Sequence, residues 1–181
     1  MSLLLTALLL GFPADEPVRL TVHPAAAPVP ALKYQLLPEV RELNAGNPVQ
    51  WYARCFADFD PATIAAFDDA DVARCLADPG IVRNRAKVAA AVGNARAWLE
   101  LDDPAAFLWS FVDGAPLQNH WTGMGEVPAT TAASDAMSKA LKKAGFRFVG
   151  PTICYAFMQS CGFVNDHVTT CFRHSECAAL A

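Results

Sequence analysis

The chain has 181 residues, 54% of them hydrophobic and 18% charged, with six cysteines and a net charge of −4 at neutral pH. That is enough apolar mass for one globular domain with a core and too few cysteines for a disulfide scaffold, and nothing in the pattern resembles a repeat array. The acidic balance speaks against a chain that is basic all over, yet it leaves room for a local basic face, because net charge averages over the whole surface.

Residues 1–12, MSLLLTALLLGF, form an apolar run too short to cross a bilayer as a helix, so no membrane partner is expected. Its length suits the core of a secretory signal, but no Lys or Arg precedes it and no clear cleavage site follows. Export and a frayed apolar helix or mis-assigned start both stay open. Through Pro30, TVHPAAAPVP reads as an extended linker, since its prolines remove donors and disfavour helix. Residues 31–44, with Pro38 inside, predict a short kinked helix, and 44–48 a turn.

Helices then follow closely. Asp60-Pro61 is an N-cap followed by proline at the first helical position, opening a helix to Phe67. Asp68 or Asp69 caps the next, which ends near Asp78-Pro79-Gly80. Val88, Val92, Ala95 and Leu99 mark one face of a longer helix over about 84–101. Asp103-Pro104 starts another through Phe107, Leu108, Trp109, Phe111 and Val112; being apolar nearly all round, it is expected at the buried centre, with Trp109 as core. Residues 113–116 form a turn, and the loop to Thr131 holds His120 and Trp121. No alternating apolar pattern of useful length occurs, so the fold class is all-α. Cys55, Cys75, Cys154 and Cys161 sit among apolar neighbours and read as buried thiols. Arg83, Arg85, Lys87 and Arg96 make one acid-free basic run, while Asp58, Asp60, Asp68, Asp69 and Asp71 carry compensating charge elsewhere.

The most informative stretch is SDAMSKALKKAGFRFVGPTICYAFMQSCG. Met137, Ala140, Leu141 and Ala144 recur at helical spacing over 134–144, and Gly145 ends that helix with a left-handed residue. Gly150-Pro151 opens a second helix with Ile153, Cys154, Phe157, Met158 and Cys161 on its apolar face. Its first N–H groups, at Gly150-Pro151-Thr152, attract an anion, and glycine lets a phosphate come close. Lys139, Lys142, Lys143 and Arg147 crowd the same unit with no acid between, which suits a polyanion; a glycine-bounded hairpin with lysines on a solvated face is the other reading. Further on, His167 and Cys171 stand four apart, as two ligands facing one Zn2+ on a helical turn would, and His174 and Cys177 continue the spacing.

The segments PGIVRNRAKVAAAVGNARAWL, FLWSFVDGAP, EVPATTAASDAMSKALKKAGF and KALKKAGFRFVGPTICYAFMQSCGFVNDHV resemble, in that order, the DNA-3-methyladenine glycosylase I family. The resemblance covers about 52–174. It implies an all-α, helix-hairpin-helix glycosylase-like domain there, preceded by a non-family segment over 1–50 and followed by a tail over 175–181. The function it implies is base excision repair by hydrolytic release of N3-alkylated adenine from duplex DNA, by a monomer in the cytoplasm. Lys142, Lys143, Gly145, Phe146, Arg147, Phe148, Gly150 and Thr152 would then grip the DNA backbone. His167 and Cys171 would supply half of a structural zinc site whose other half lies in the family's N-terminal segment. Family members usually open with a Cys-containing segment, a His-Asp-x-Glu-Trp-Gly stretch, and a helix with Glu-Gly followed by Trp, which carry the base-reading glutamate and stacking aromatics. No such motif precedes Tyr52 here; Tyr34, Glu39, Glu42 and Trp51 have the right chemistry in the wrong pattern, so no catalytic residue is assigned. The alternative is a DNA-binding remnant without the base-recognition half. A secreted protein of unrelated role rests only on residues 1–12.

Overall fold

In a computed structural model of the chain the described residues are 48–179, with side chains from Trp51 onward. The readings made above for residues 1–47, including Tyr34, Glu39 and Glu42, lie outside them. The described residues group into two compact units, 48–100 and 101–179.

The first unit contains α1 (Pro48–Cys55), α2 (Pro61–Ala65), α3 (Asp69–Ala77) and α4 (Arg85–Leu99). Capping residues start three of them, the first two as read from the sequence. Asp60 accepts from Thr63 N–H at the head of α2, Asp68 and Asp71 form a reciprocal capping box on α3, and Asn84 accepts from Lys87 N–H on α4. Val88, Ala91, Val92 and Ala95 bury the stripe of α4 on which α2 and α3 pack, together with Ile64, Phe67 and Cys75. Leu99, predicted on that stripe, is instead 52% exposed, because it is the final residue of α4. Between α1 and α2, Ala57, Asp58 and Phe59 take φ of 46°, 51° and 62°, a left-handed turn without glycine. Such a backbone costs about 1–2 kcal/mol per residue. Phe56 and Phe59, both buried beside it, contribute about 1.5–3 kcal/mol each, enough to hold the turn.

The second unit contains α5 (Pro104–Trp109), α6 (Ala132–Lys143), α7 (Pro151–Cys161) and α8 (Phe172–Ala178), with two-residue strands β1 (Leu117–Gln118) and β2 (Val164–Asn165) paired in parallel. The all-α expectation holds, since those two short strands are the only ones among the described residues. Helix α6 begins two residues earlier than the 134–144 expected, because Thr131 caps it and Ser134 completes the capping box from inside the first turn. Helices α6 and α7 pack on each other, burying Met137, Leu141, Cys154, Phe157 and Met158. The 104–112 segment is not the buried centre that its composition predicts. Only Leu108 and Val112 are buried, and Trp109 is half-buried with its ring 4.3 Å from that of Phe163. The segment breaks into α5 and a 3-10 turn (Ser110–Val112), so its apolar residues do not share one helical face. No described helix is long and apolar enough to cross a membrane.

Candidate nucleic-acid interface

The turn between α6 and α7 is held from inside. Gly145, at φ 92°, closes α6: its N–H donates to Lys142 O at 3.1 Å and that of Phe146 to Leu141 O at 3.0 Å, the two bonds of a Schellman stop. Phe146 and Val149 turn inward and are buried. Ser138, itself buried on α6, donates its hydroxyl to Val149 O at 2.6 Å and so ties the far side of the turn to the first helix. Burial pushes the nearby Cys154 thiol up to about 11. Sequence reasoning missed Ser138; its signal was a hydroxyl residue between two fully buried apolar positions.

What faces outward differs in kind. Lys139, Lys142, Lys143, Gly145, Arg147 and Thr152 are exposed. Phe148 is 48% exposed and holds φ 56°, a conformation that carries strain in an aromatic residue. The left-handed turn near Phe56 buries its rings, whereas this one presents its ring to solvent. At Gly150 the backbone is ordinary (φ −64°, ψ 158°), and a Cβ placed there would meet nothing within 4 Å. Neither conformation nor packing requires glycine at that position. Helix α7 then starts with Pro151, no side-chain cap and no acid in its first turn. The N–H groups of Thr152 and Ile153 therefore have no partner among the described residues. The predicted residues thus come together as a strained aromatic, an open glycine, exposed lysines and free amide donors. Lys142 and Lys143 also sit in the last turn of α6, where cations favour the helix dipole by about 0.3–1 kcal/mol each, so part of their placement serves the helix.

A polar network involves the last turn of α7, at the other end of that helix. Asp166 accepts from Asn119 Nδ2 at 2.7 Å, Trp121 Nε1 at 2.8 Å and Gln159 Nε2 at 2.8 Å. Burial on its own would raise the Asp166 pKa, but the donated bonds, that from Trp121 foremost, hold it below the usual carboxylate range. Asn165 donates to Gln118 Oε1 at 2.9 Å and to His174 O at 3.0 Å, and His174 Nε2 lies 2.8 Å from Asn119 O. Trp121, predicted only as a loop residue, is therefore part of the frame that holds 117–121 against 159–174.

His167 and Cys171 do meet, with Nδ1 and Sγ 3.8 Å apart. The expected helical turn is not what joins them: Cys171 precedes α8, and its N–H closes a tight turn on Val168 O. Two ligands of a tetrahedral zinc would stand about 3.6 Å apart, so the pair fits two corners of such a site. His174 and Cys177 do not complete it. The His174 ring is committed to Asn119 and packs 5.3 Å from His120, and no group of three or more His, Cys, Asp or Glu gathers among the described residues.

Other predicted residues separate by task. Arg96 leaves the basic run, because its Nε donates to Ala65 O at 2.8 Å, and Arg74 pairs with Asp71 and with Cys55 O. Trp51 packs so closely that a Cβ on Gly80 would lie 2.7 Å from its ring, a structural contact in place of a stacking platform. Cys55, Cys75 and Cys154 are buried as expected, while Cys161 is only half-buried.

The model of the methyladenine glycosylase family matches residues 49–174. DNA-3-methyladenine glycosylase 1 of Escherichia coli (strain K12) is 52% identical over 124 residues, which cover 66% of this chain and 66% of that protein. DNA-3-methyladenine glycosylase of Haemophilus influenzae is 44% identical over 124 residues, covering 66% of this chain and 67% of that protein. The chain thus spans about two thirds of the length of the curated relatives that it matches. A crystal structure of 3-methyladenine DNA glycosylase I shares the fold with a TM-score of 0.67 at 51% identity, over 69% of this chain and 71% of that one. Sequence and architecture agree over the same stretch that carries the α6–α7 turn, and the chain belongs to the methyladenine glycosylase family.

Proposed function

We propose that this protein is a DNA glycosylase of base excision repair, which binds duplex DNA and hydrolytically releases N3-methylated adenine. The observation that carries the reading is Gly150, a glycine that the protein itself does not need, set beside unpartnered amides at the start of α7. A phosphate resting there accounts for both features. The α6–α7 turn acts as a helix-hairpin-helix grip, with Lys142, Lys143, Gly145, Phe146, Arg147, Phe148, Gly150 and Thr152 supplying or shaping the contact. The names of the relatives support the damaged base as substrate.

The chemistry asks little of the protein. Methylation at N3 makes adenine cationic and weakens its bond to the sugar, so the enzyme mainly has to extrude the nucleotide, hold the base and admit water. Gly150-Pro151 offers no lysine for a Schiff base, which fits simple hydrolysis. The protein works as a monomer on DNA in the cytoplasm. His167 and Cys171 hold two corners of a structural zinc, ordering the chain ahead of α8. Metal analysis of purified protein tests that part, and below about 0.1 equivalent of zinc it fails.

A second reading, DNA binding without excision, is favoured by the start of the family match at residue 49 and by the absence of the family's opening motifs from residues 1–50. Methylated duplex DNA incubated with the purified chain separates the two. Free 3-methyladenine above the buffer control supports the glycosylase. Binding without release selects the second reading, and absence of both removes the DNA assignment. Gly150→Asp, which sets a carboxylate against the phosphate, is expected to weaken binding to all sequences.

A further inference from the structure

Acids and bases in the first unit follow one rule at α3 and the opposite at α4. At α3, Asp69 and Asp71 occupy the first turn, where negative charge suits the positive end of the helix dipole. At α4 no acid occupies the first turn; Arg83, Arg85 and Lys87 crowd it instead, around the cap Asn84. Asn84 already satisfies the backbone donor of Lys87, so the feature is one of side-chain charge. Elsewhere in this unit Arg74 and Arg96 pair with an acid or with carbonyls. The side chains of Arg83, Arg85 and Lys87 make no hydrogen bond or ion pair with any described residue; Arg83 and Arg85 are exposed and Lys87 half-buried, beside Val82, itself 52% exposed. Three cations are held where their own helix repels them and where no described residue pairs with them.

We infer that Arg83, Arg85 and Lys87 form a second phosphodiester-binding surface, by which the first unit holds the duplex backbone independently of the α6–α7 turn. The inference rests on the proposed reading of the protein as a duplex-DNA binder and adds where else the backbone is held. A polyanion supplies the negative charge that the first turn of α4 lacks. Phosphate contacts of this type carry no base information, so the surface acts equally on every sequence.

The test uses the full chain, a fluorescent undamaged duplex in two unrelated sequences, and anisotropy over a range of NaCl. Each phosphate neutralised contributes about 0.9 to the slope of log affinity against log salt. The triple variant Arg83→Ala/Arg85→Ala/Lys87→Ala is therefore expected to flatten that slope by about 2 to 3 and to weaken binding at least roughly tenfold at low salt on both duplexes. A second variant, Arg85→Glu/Lys87→Glu, gives α4 the acids that its dipole favours; it is expected to melt at a higher temperature than the parent while binding more weakly still. That opposite movement separates a binding role from a folding one. Unchanged slope and affinity in the triple variant, with Gly150→Asp weakened, would overturn this inference and leave the wider reading standing. No binding by the parent chain would overturn both.

Discussion

Ser138 ties the α6–α7 turn together from inside. Its hydroxyl is the short 2.6 Å donor to Val149 O, and Val149 is 1% exposed, so no water can take its place. Ser138→Ala is expected to cost about 1–3 kcal/mol, read as a lower urea midpoint with an unchanged slope. Asp166 behaves similarly within its network. Asp166→Asn keeps one oxygen for Asn119 and Trp121 but sets an amide N–H against the Gln159 donor, and a loss of about 1–3 kcal/mol is expected in the same assay. The cysteines divide by burial. Burial pushes Cys55 up to about 12, its hydrogen bond to Asp78 adding to the effect, and Cys154 up to about 11. At pH 8 these two thiols are almost wholly protonated and enclosed. Iodoacetamide labelling of the native protein is expected to modify Cys177 while sparing Cys55 and Cys154, which react only on unfolding.

The two glycines that bound the α6–α7 turn serve different ends, and the difference is measurable. Gly145 needs its φ of 92° for the stop of α6. Gly145→Ala is expected to lose about 1–2 kcal/mol of stability, seen by thermal or urea unfolding. Gly150 needs nothing of the kind, so Gly150→Ala should leave stability within about 0.5 kcal/mol of the parent. If the same variant weakens duplex binding, the open space belongs to the ligand; equal binding would mean that no phosphate comes close to that Cα. Helix α7 shows the same division between inner and outer faces, since its stripe packs on α6 while its first turn stays uncapped.

Taken together, the protein is acidic on average and basic in two places. Lys142, Lys143 and Arg147 at the turn and Arg83, Arg85 and Lys87 on α4 make six candidate phosphate contacts. Raising NaCl from about 50 to 200 mM is then expected to weaken duplex binding on the order of 10³-fold, measured by anisotropy. A fall of less than tenfold would limit the contact to one or two phosphates. On the proposed reading, binding is expected to be firmer than excision, because the proposed grip lies within the described residues and the family's base-reading motifs are not found in residues 1–50.

Short-range chemistry was legible in the amino acids alone. Asp60, Asp68 and Asp103 each cap the helix they precede, and Gly145 and Pro151 bound the turn, because a cap or a stop needs only residues a few positions apart. The helical class and the family followed from the same local order. The tertiary structure decided which face of each element meets another. It exposed Leu99, left Trp109 half-buried, drew Arg96 onto the carbonyl of Ala65, and joined Asp166 to Asn119 and Trp121 across 45 or more positions. Periodicity marks an apolar stripe but is silent about what lies opposite it. Hydrogen bonds between distant loops leave no spacing in the sequence, since their partners are chosen by packing.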